Sequence, residues 1–256
     1  MIKALAASAF VITALNALPA SAQAADAQCV TDDPTTYKVD CDAAAKLQAA
    51  LKAGDKQAVI KMINFPVDRE QPLKSIKNAK AFLAHWDEYF DVDTTKALTD
   101  QNPEQIGWRG IQLAGGMVWF KDGRIIRLNS EAAAYKKALE NAEADETVKL
   151  WPAARGYDRI DVQCNTKTLH VRVQNHGDDI RYFAWKAGAP LSTKPAMALT
   201  HGKTPSSGSD GSITYAFTNA GYTYEIDNGA GICGETCDKH LTVMKGAKQV
   251  SDQVCN

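Results

Sequence analysis

The chain has 256 residues, 45% of them hydrophobic and 23% charged. Those fractions exclude disorder, a collagen-like fibre and a polytopic membrane protein. Lys and Arg total 29 against 30 Asp and Glu, so no strong field exists to hold nucleic acid or anionic lipid, and neither is expected as a partner.

The chain opens with a short positive segment, Met1-Ile2-Lys3, followed by an uncharged run from Ala4 to Leu18 and the small residues Pro19-Ala20-Ser21-Ala22. That layout predicts a secretory signal peptide over residues 1–22, with cleavage before Gln23; Ala22-Gln23-Ala24 offers a second site. The apolar run is shorter than the roughly 20 residues a spanning helix needs, and no later segment is long enough, so no membrane insertion is expected after cleavage. The expected location is periplasmic or secreted.

All six cysteines lie beyond this segment: Cys29, Cys41, Cys164, Cys233, Cys237 and Cys255. An even count in an exported chain points to disulfides. Proximity favours Cys29–Cys41 as a clip on the mature N-terminus. In the C-terminal half, Cys164–Cys255 with a local Cys233–Cys237 bridge is one solution; pairing of Cys164 with Cys233 or Cys237 is the other.

Two textures divide the chain, an α+β region over residues 23–155 and an all-β region over 156–256. The segment from Asp42 to Ala53 has helical spacing and ends at Gly54. Asp55 then caps a second helix containing Val59 and Ile63. Pro66 disfavours helix at Phe65. A third helix is expected from Ser75 to Phe90, with one apolar stripe through Ile76, Ala79, Leu83, Trp86 and Phe90 and a second through Phe82, His85 and Tyr89. After a polar stretch containing Pro103, residues 107–113 and 117–128 read as strands, with Asp122-Gly123 as a hairpin turn. Residues 130–150 read as a helix, and Pro152 marks its end.

From Asp158 onward short alternating segments predict strands at 160–162, 169–173, 181–185, 196–199, 213–217, 222–226 and 241–244. Gly, Ser and Pro clusters such as 204–208 separate them, which suggests a sandwich or small barrel.

The string from Leu47 to Lys56, then Ile63-Asn64-Phe65-Pro66-Val67, then Ile76 to Phe82, Trp86 to Phe90 and Gly110 to Phe120 with its Asp-Gly hairpin resembles exported bacterial NTF2-like (cystatin-like α+β) domains. The resemblance covers residues 42–130. It implies a curved sheet wrapped around a helix as a cone, and a family in which isomerases and dehydratases occur beside non-catalytic binding modules.

Within that frame His85 is the candidate acid/base, on a stripe with Phe82 and Tyr89, although no partner is evident: Asp87 points elsewhere, and Glu88 belongs to a solvated patch. Cys233, Cys237 and His240 have ligand-like spacing, but an oxidising compartment favours a disulfide, so no metal is expected. His170, His176 and His201 read as isolated surface residues. No nucleophile elbow, phosphate loop or dinucleotide fingerprint is present, and no cofactor is expected. Tyr89, Trp185, Tyr222 and Tyr224 are candidate aromatic contacts for a protein, glycan or small-molecule ligand, set against core packing. The favoured function is non-catalytic binding, with an inhibitor-like partner of an envelope enzyme as its concrete form. The alternative is a cavity lyase or isomerase using His85.

Overall fold

A computed structural model describes residues 28–207, 212–229 and 239–255. The expected signal peptide and the expected Cys233–Cys237 bridge lie outside the described residues. The chain is mixed α+β, with three antiparallel sheets among the described residues.

Helix α1 (Lys38–Lys52) buries Ala43, Ala44, Leu47 and Leu51, an i, i+1, i+4, i+8 face that packs on the first sheet. Gly54, at φ +66°, ends it, and the Asp55 carboxylate accepts from the Ala58 N–H to start α2 (Lys56–Met62). The expected helix over 75–90 is reduced to one short helix and a 3₁₀ turn. Asn78 caps its start by accepting from Ala81, so α3 runs only Ala79–Ala84. A 3₁₀ turn, Trp86–Glu88, follows, and Asp91 then caps a further helix, α4 (Val92–Asp100), in what the sequence reads as a polar stretch. Two side-chain caps within fourteen residues outweigh the continuous apolar pattern. Ile76 leaves the helix altogether and pairs with Val67, and Leu83 stands exposed.

The first sheet is a meander of β1 (Glu104–Gln105), β2 (Ile111–Leu113), β3 (Val118–Lys121) and β4 (Arg124–Leu128), in that order. Residues 107–109 form a 3₁₀ turn rather than strand. Asp122 and Gly123 both have positive φ, 53° and 73°, as a type I′ turn requires. The turn also docks on α1: the buried Asp40 accepts from the Gly123 N–H at 2.8 Å, and a Cβ at Gly123 would meet Val39 at 2.9 Å. The Gln48 amide, buried on α1, donates to the carbonyls of Leu98 and Gln101 and so ties down the end of α4. One apolar cluster, from Ala43 to Tyr135, unites these elements with α5 (Ala133–Thr147).

The remaining strands form two sheets. One has the order β5 (Arg159–Asn165), β6 (Leu169–His176), β7 (Asp179–Lys186), β8 (Met197–Leu199). The other contains β9 (Lys203–Ser207), β10 (Ile213–Asn219), β11 (Tyr222–Asp227), β12 (Lys239–Lys245) and β13 (Lys248–Cys255), each paired with the next. Both sheets contribute to a single buried layer, Val171, Val173 and Tyr182 from the first meeting Phe217, Ile226 and Leu241 from the second. The sequence reads 204–208 as a loop, yet 203–207 is strand; Pro205 is tolerated because β9 is an edge. Cys164 is joined to Cys255, linking β5 to β13, and Cys29 is joined to Cys41.

The outer face of the β5–β8 sheet is also covered. Leu150 and Ala154, from the segment after α5, pack on Phe183 and Trp185. Arg172 on β6 lies fully buried on that face and meets Glu146 of α5 through two hydrogen bonds of 2.7 and 2.9 Å. The Tyr157 hydroxyl donates to the same carboxylate at 2.9 Å, and burial together with that hydrogen bond pushes its phenol well above the ordinary range.

His170 is not a free surface residue. Its Nδ1 pairs with Asn165, its Nε2 is buried with no partner among the described residues, and burial, then the charge of Arg172, holds the imidazole below its ordinary pKa. His176 is shifted the same way, by burial and then by Arg181. The neutral rings are therefore favoured in the fold, whereas the unfolded chain takes up protons near pH 6.5. Stability should be full above that pH and fall as pH drops through the lower folded values. Urea midpoints compared at pH 7.5 and pH 5 will show the loss, and His170→Gln should flatten part of it.

Candidate functional site

Helix α2 ends at Met62, and Ile63 enters an extended conformation that bridges Ile125. The Asn64 N–H donates to the Ile125 carbonyl and the Arg124 guanidinium donates to that of Ile63, both at 2.8 Å. The chain then swings away, and Val67 exchanges backbone hydrogen bonds with Ile76. Between residues 63–70 and 125–131 this divergence leaves a cleft of about 470 Å³, with Arg69, Glu70, Ser130 and Tyr135 among its walls.

Arg69 organises the polar side of the cleft. Its side chain is only 5% exposed and pairs with one oxygen of Glu88. The other oxygen of Glu88 lies 2.8 Å from His85 Nδ1, and Ser130 donates to the Glu88 main-chain carbonyl. The guanidinium sits 5.6 Å from the Tyr135 ring centroid, and the Tyr135 hydroxyl accepts from the Glu70 N–H at 2.9 Å. A continuous line of contacts therefore runs from His85 through Glu88 and Arg69 to Tyr135. It buries a carboxylate only because a cation faces it.

This corrects the sequence reading of Glu88 as part of a solvated patch, since its side chain is 14% exposed and engaged on both oxygens. His85 lies just past α3 at the junction with the 3₁₀ turn, and it opens onto a separate shallow recess of about 270 Å³ shared with Lys56 and Asp87. Tyr89 does not share that recess. Its ring is buried, stacked on Phe82 at 5.1 Å and set edge-on to Tyr135 at 5.7 Å. Among the described residues its hydroxyl meets the geometry of a hydrogen bond with no partner; burial drives the phenol well above its ordinary pKa, Tyr135 adds to this, and Arg69 opposes it. His85 thus has a carboxylate, but not the Tyr89 hydroxyl, within a common cavity.

Of the aromatic candidates, Trp185 is core: it is 1% exposed and its indole N–H donates to the Thr193 carbonyl at 2.8 Å. Both faces of β7 are buried, Tyr182 inward and Phe183 with Trp185 outward, so no open aromatic face exists on that strand. Tyr224 is partly buried beside Tyr182, with ring centroids 6.0 Å apart. Tyr222 is half-buried under Lys245, whose ammonium stands 5.3 Å from the ring centroid. Sequence reasoning missed Arg69 and Ser130 and set Glu88 aside as surface; Arg69 and Ser130 stand 19 and 42 positions from Glu88, which leaves no local signal for either contact.

Among the described residues no group of three or more His, Cys, Asp or Glu is placed to hold a metal ion, and no helix is long and apolar enough to cross a membrane. No family model, curated protein or solved structure matches this chain.

Proposed function

We propose that this is an exported protein of the periplasm or cell exterior that binds a partner without transforming it. In this reading the α+β part is an NTF2-like cone whose interior is filled, and the β part is a disulfide-stabilised binding or support unit. A protein partner is favoured over a glycan or a small molecule, in the manner of an inhibitor-like companion of an envelope enzyme. One observation carries the reading. Phe82, Trp86, Tyr89 and Phe90 pack against one another in the core beneath the first sheet's helices, all less than 10% exposed, and this supports a filled rather than an open interior. Two disulfides suit an oxidising compartment.

The competing reading, a lyase or isomerase acting through His85, draws on the 2.8 Å contact with Glu88, since an orienting carboxylate is what a histidine base needs. Native mass spectrometry of the protein isolated from its own cell envelope separates the two. Binding predicts a co-isolated protein mass that His85→Ala retains, because the half-exposed imidazole is outside the cleft. A small molecule held by the native protein and lost from His85→Ala would move the assignment to catalysis. The same spectrum gives the N-terminal cleavage site, and a mass deficit of about six hydrogens would establish three disulfides.

A further inference from the structure

Among the described residues, nothing pairs with the outer edge of the first sheet beyond Ile125. Strand β4 is the last in its sheet, and on its outer side the 63–70 segment pairs with it only at Ile125 before turning to Ile76. The cleft lies along residues 126–128. A register shift between Trp119 and Phe120 makes Ile126 the extra residue of a bulge, and its side chain stands 47% exposed as an apolar contact on the cleft wall. An edge left open beside a cleft is a template for one more strand.

Charge selects the occupant. Arg69 is neutralised by Glu88, and Glu131 is tied to Lys136. Among the described residues Asp68 and Glu70 make no ion pair; both are exposed and line the cleft, and Asp68 accepts from the Ser75 hydroxyl at 3.0 Å. The acidic character continues onto α5, where partial burial and the like charge of Glu70 and Glu140 hold the Glu143 carboxyl above its ordinary range. Arg127 is the opposing cation on the wall.

We infer that the open edge of β4 takes up an extended, basic segment of a partner protein as an added strand, its Lys or Arg side chains meeting Asp68 and Glu70. This rests on the protein-binding reading. Backbone hydrogen bonds supply most of the affinity, and the carboxylates steer the approach and fix which segment is accepted.

The test is a fluorescence-polarisation titration of the intact protein with three labelled heptapeptides. The first alternates lysine and valine, the second replaces lysine by glutamate, and the third carries proline at alternate positions. The basic peptide should bind, and more weakly as salt rises. The acidic and proline peptides should bind at least about tenfold more weakly, since one meets like charge and the other lacks backbone donors. Asp68→Lys with Glu70→Lys should cost a similar factor at unchanged melting temperature, and Glu70→Gln a smaller one. Equal binding of the basic and acidic peptides, or indifference to the double substitution, would overturn the inference. So would a dimer of this chain that the basic peptide dissociates, because the edge would then belong to a second copy. Co-isolation from the envelope separates this failure from failure of the parent reading. A partner retained by the double variant removes only the edge assignment, whereas a native protein that carries no partner removes the binding reading itself.

Discussion

Glu146→Ala should lower the unfolding free energy by about 3–5 kcal/mol, read as a shift of the urea midpoint at constant slope. The size follows from what the substitution leaves behind. Arg172 is fully buried on the outer face of β6, and both of its terminal nitrogens donate to Glu146. Tyr157 covers the guanidinium, with its ring centroid 5.4 Å away, and spends its hydroxyl on the same carboxylate. Removing the carboxylate strands a cation and a phenol where water reaches neither well. Glu146→Gln keeps an oxygen acceptor and should cost less. The double replacement Glu146→Leu with Arg172→Met should recover most of the loss, because an apolar pair of similar volume avoids desolvating two charges. A full double-mutant cycle would give the coupling directly. If Glu146→Ala shifts the midpoint by less than about 1 kcal/mol, the pair is not what fastens α5 to the β sheets.

Local chemistry made much of this architecture legible. Gly54 and Asp55, the Asp122-Gly123 turn and the alternating pattern of β6 each carry their own geometric instruction in one or two residues. The elements that escaped have their determinants elsewhere. Helix α4 buries only Thr94 and Leu98, too few apolar positions to set a period, although the Asp91 cap was present in the sequence. Strand β13 is an edge with most residues exposed, so its alternation is between exposed and half-buried positions, and β9 carries Pro205. The long helix expected over 75–90 failed because an apolar stripe records burial and not continuity. Phe82 is buried from α3, Trp86 from the 3₁₀ turn, and Tyr89 and Phe90 from the turn that follows it.

The candidate site was legible in fewer of its parts. His85 and Glu88 stand three apart, and that spacing alone places their side chains near each other. What converts Glu88 from surface to buried anchor is Arg69, delivered by an irregular segment whose path is set by Pro66 and the Val67–Ile76 bridge. The cleft itself is a gap between segments some sixty residues apart, created by where one of them stops pairing. Periodicity in sequence does not encode such a departure. Trp185 is core for a related reason: one covered face of β7 was readable from alternation, but the second cover comes from residues 150–157, outside the sheet.

Replacing Cys164 and Cys255 together by alanine should destabilise the β region by about 4–5 kcal/mol, against about 3 kcal/mol for the corresponding change at Cys29 and Cys41. The difference is set by loop length. The first bridge closes a separation of 91 residues and the second only 12, and the configurational freedom removed from the unfolded chain grows with the logarithm of that number. Position reinforces it. Cys164 is fully buried within the layer shared by both sheets, whereas Cys29 lies at the margin of the other core. The two bridges also act on different transitions. Loss of Cys164–Cys255 should release β13, which among the described residues pairs only with β12, and amide exchange should accelerate over residues 248–255 before other strands follow. Loss of Cys29–Cys41 should leave α1 in place, because that helix is held by its buried face and by the Asp40–Gly123 contact. Equal losses for the two double variants, or uniform acceleration across the β sheets, would show that the long bridge acts through the folded state rather than through the freedom it removes from the unfolded one.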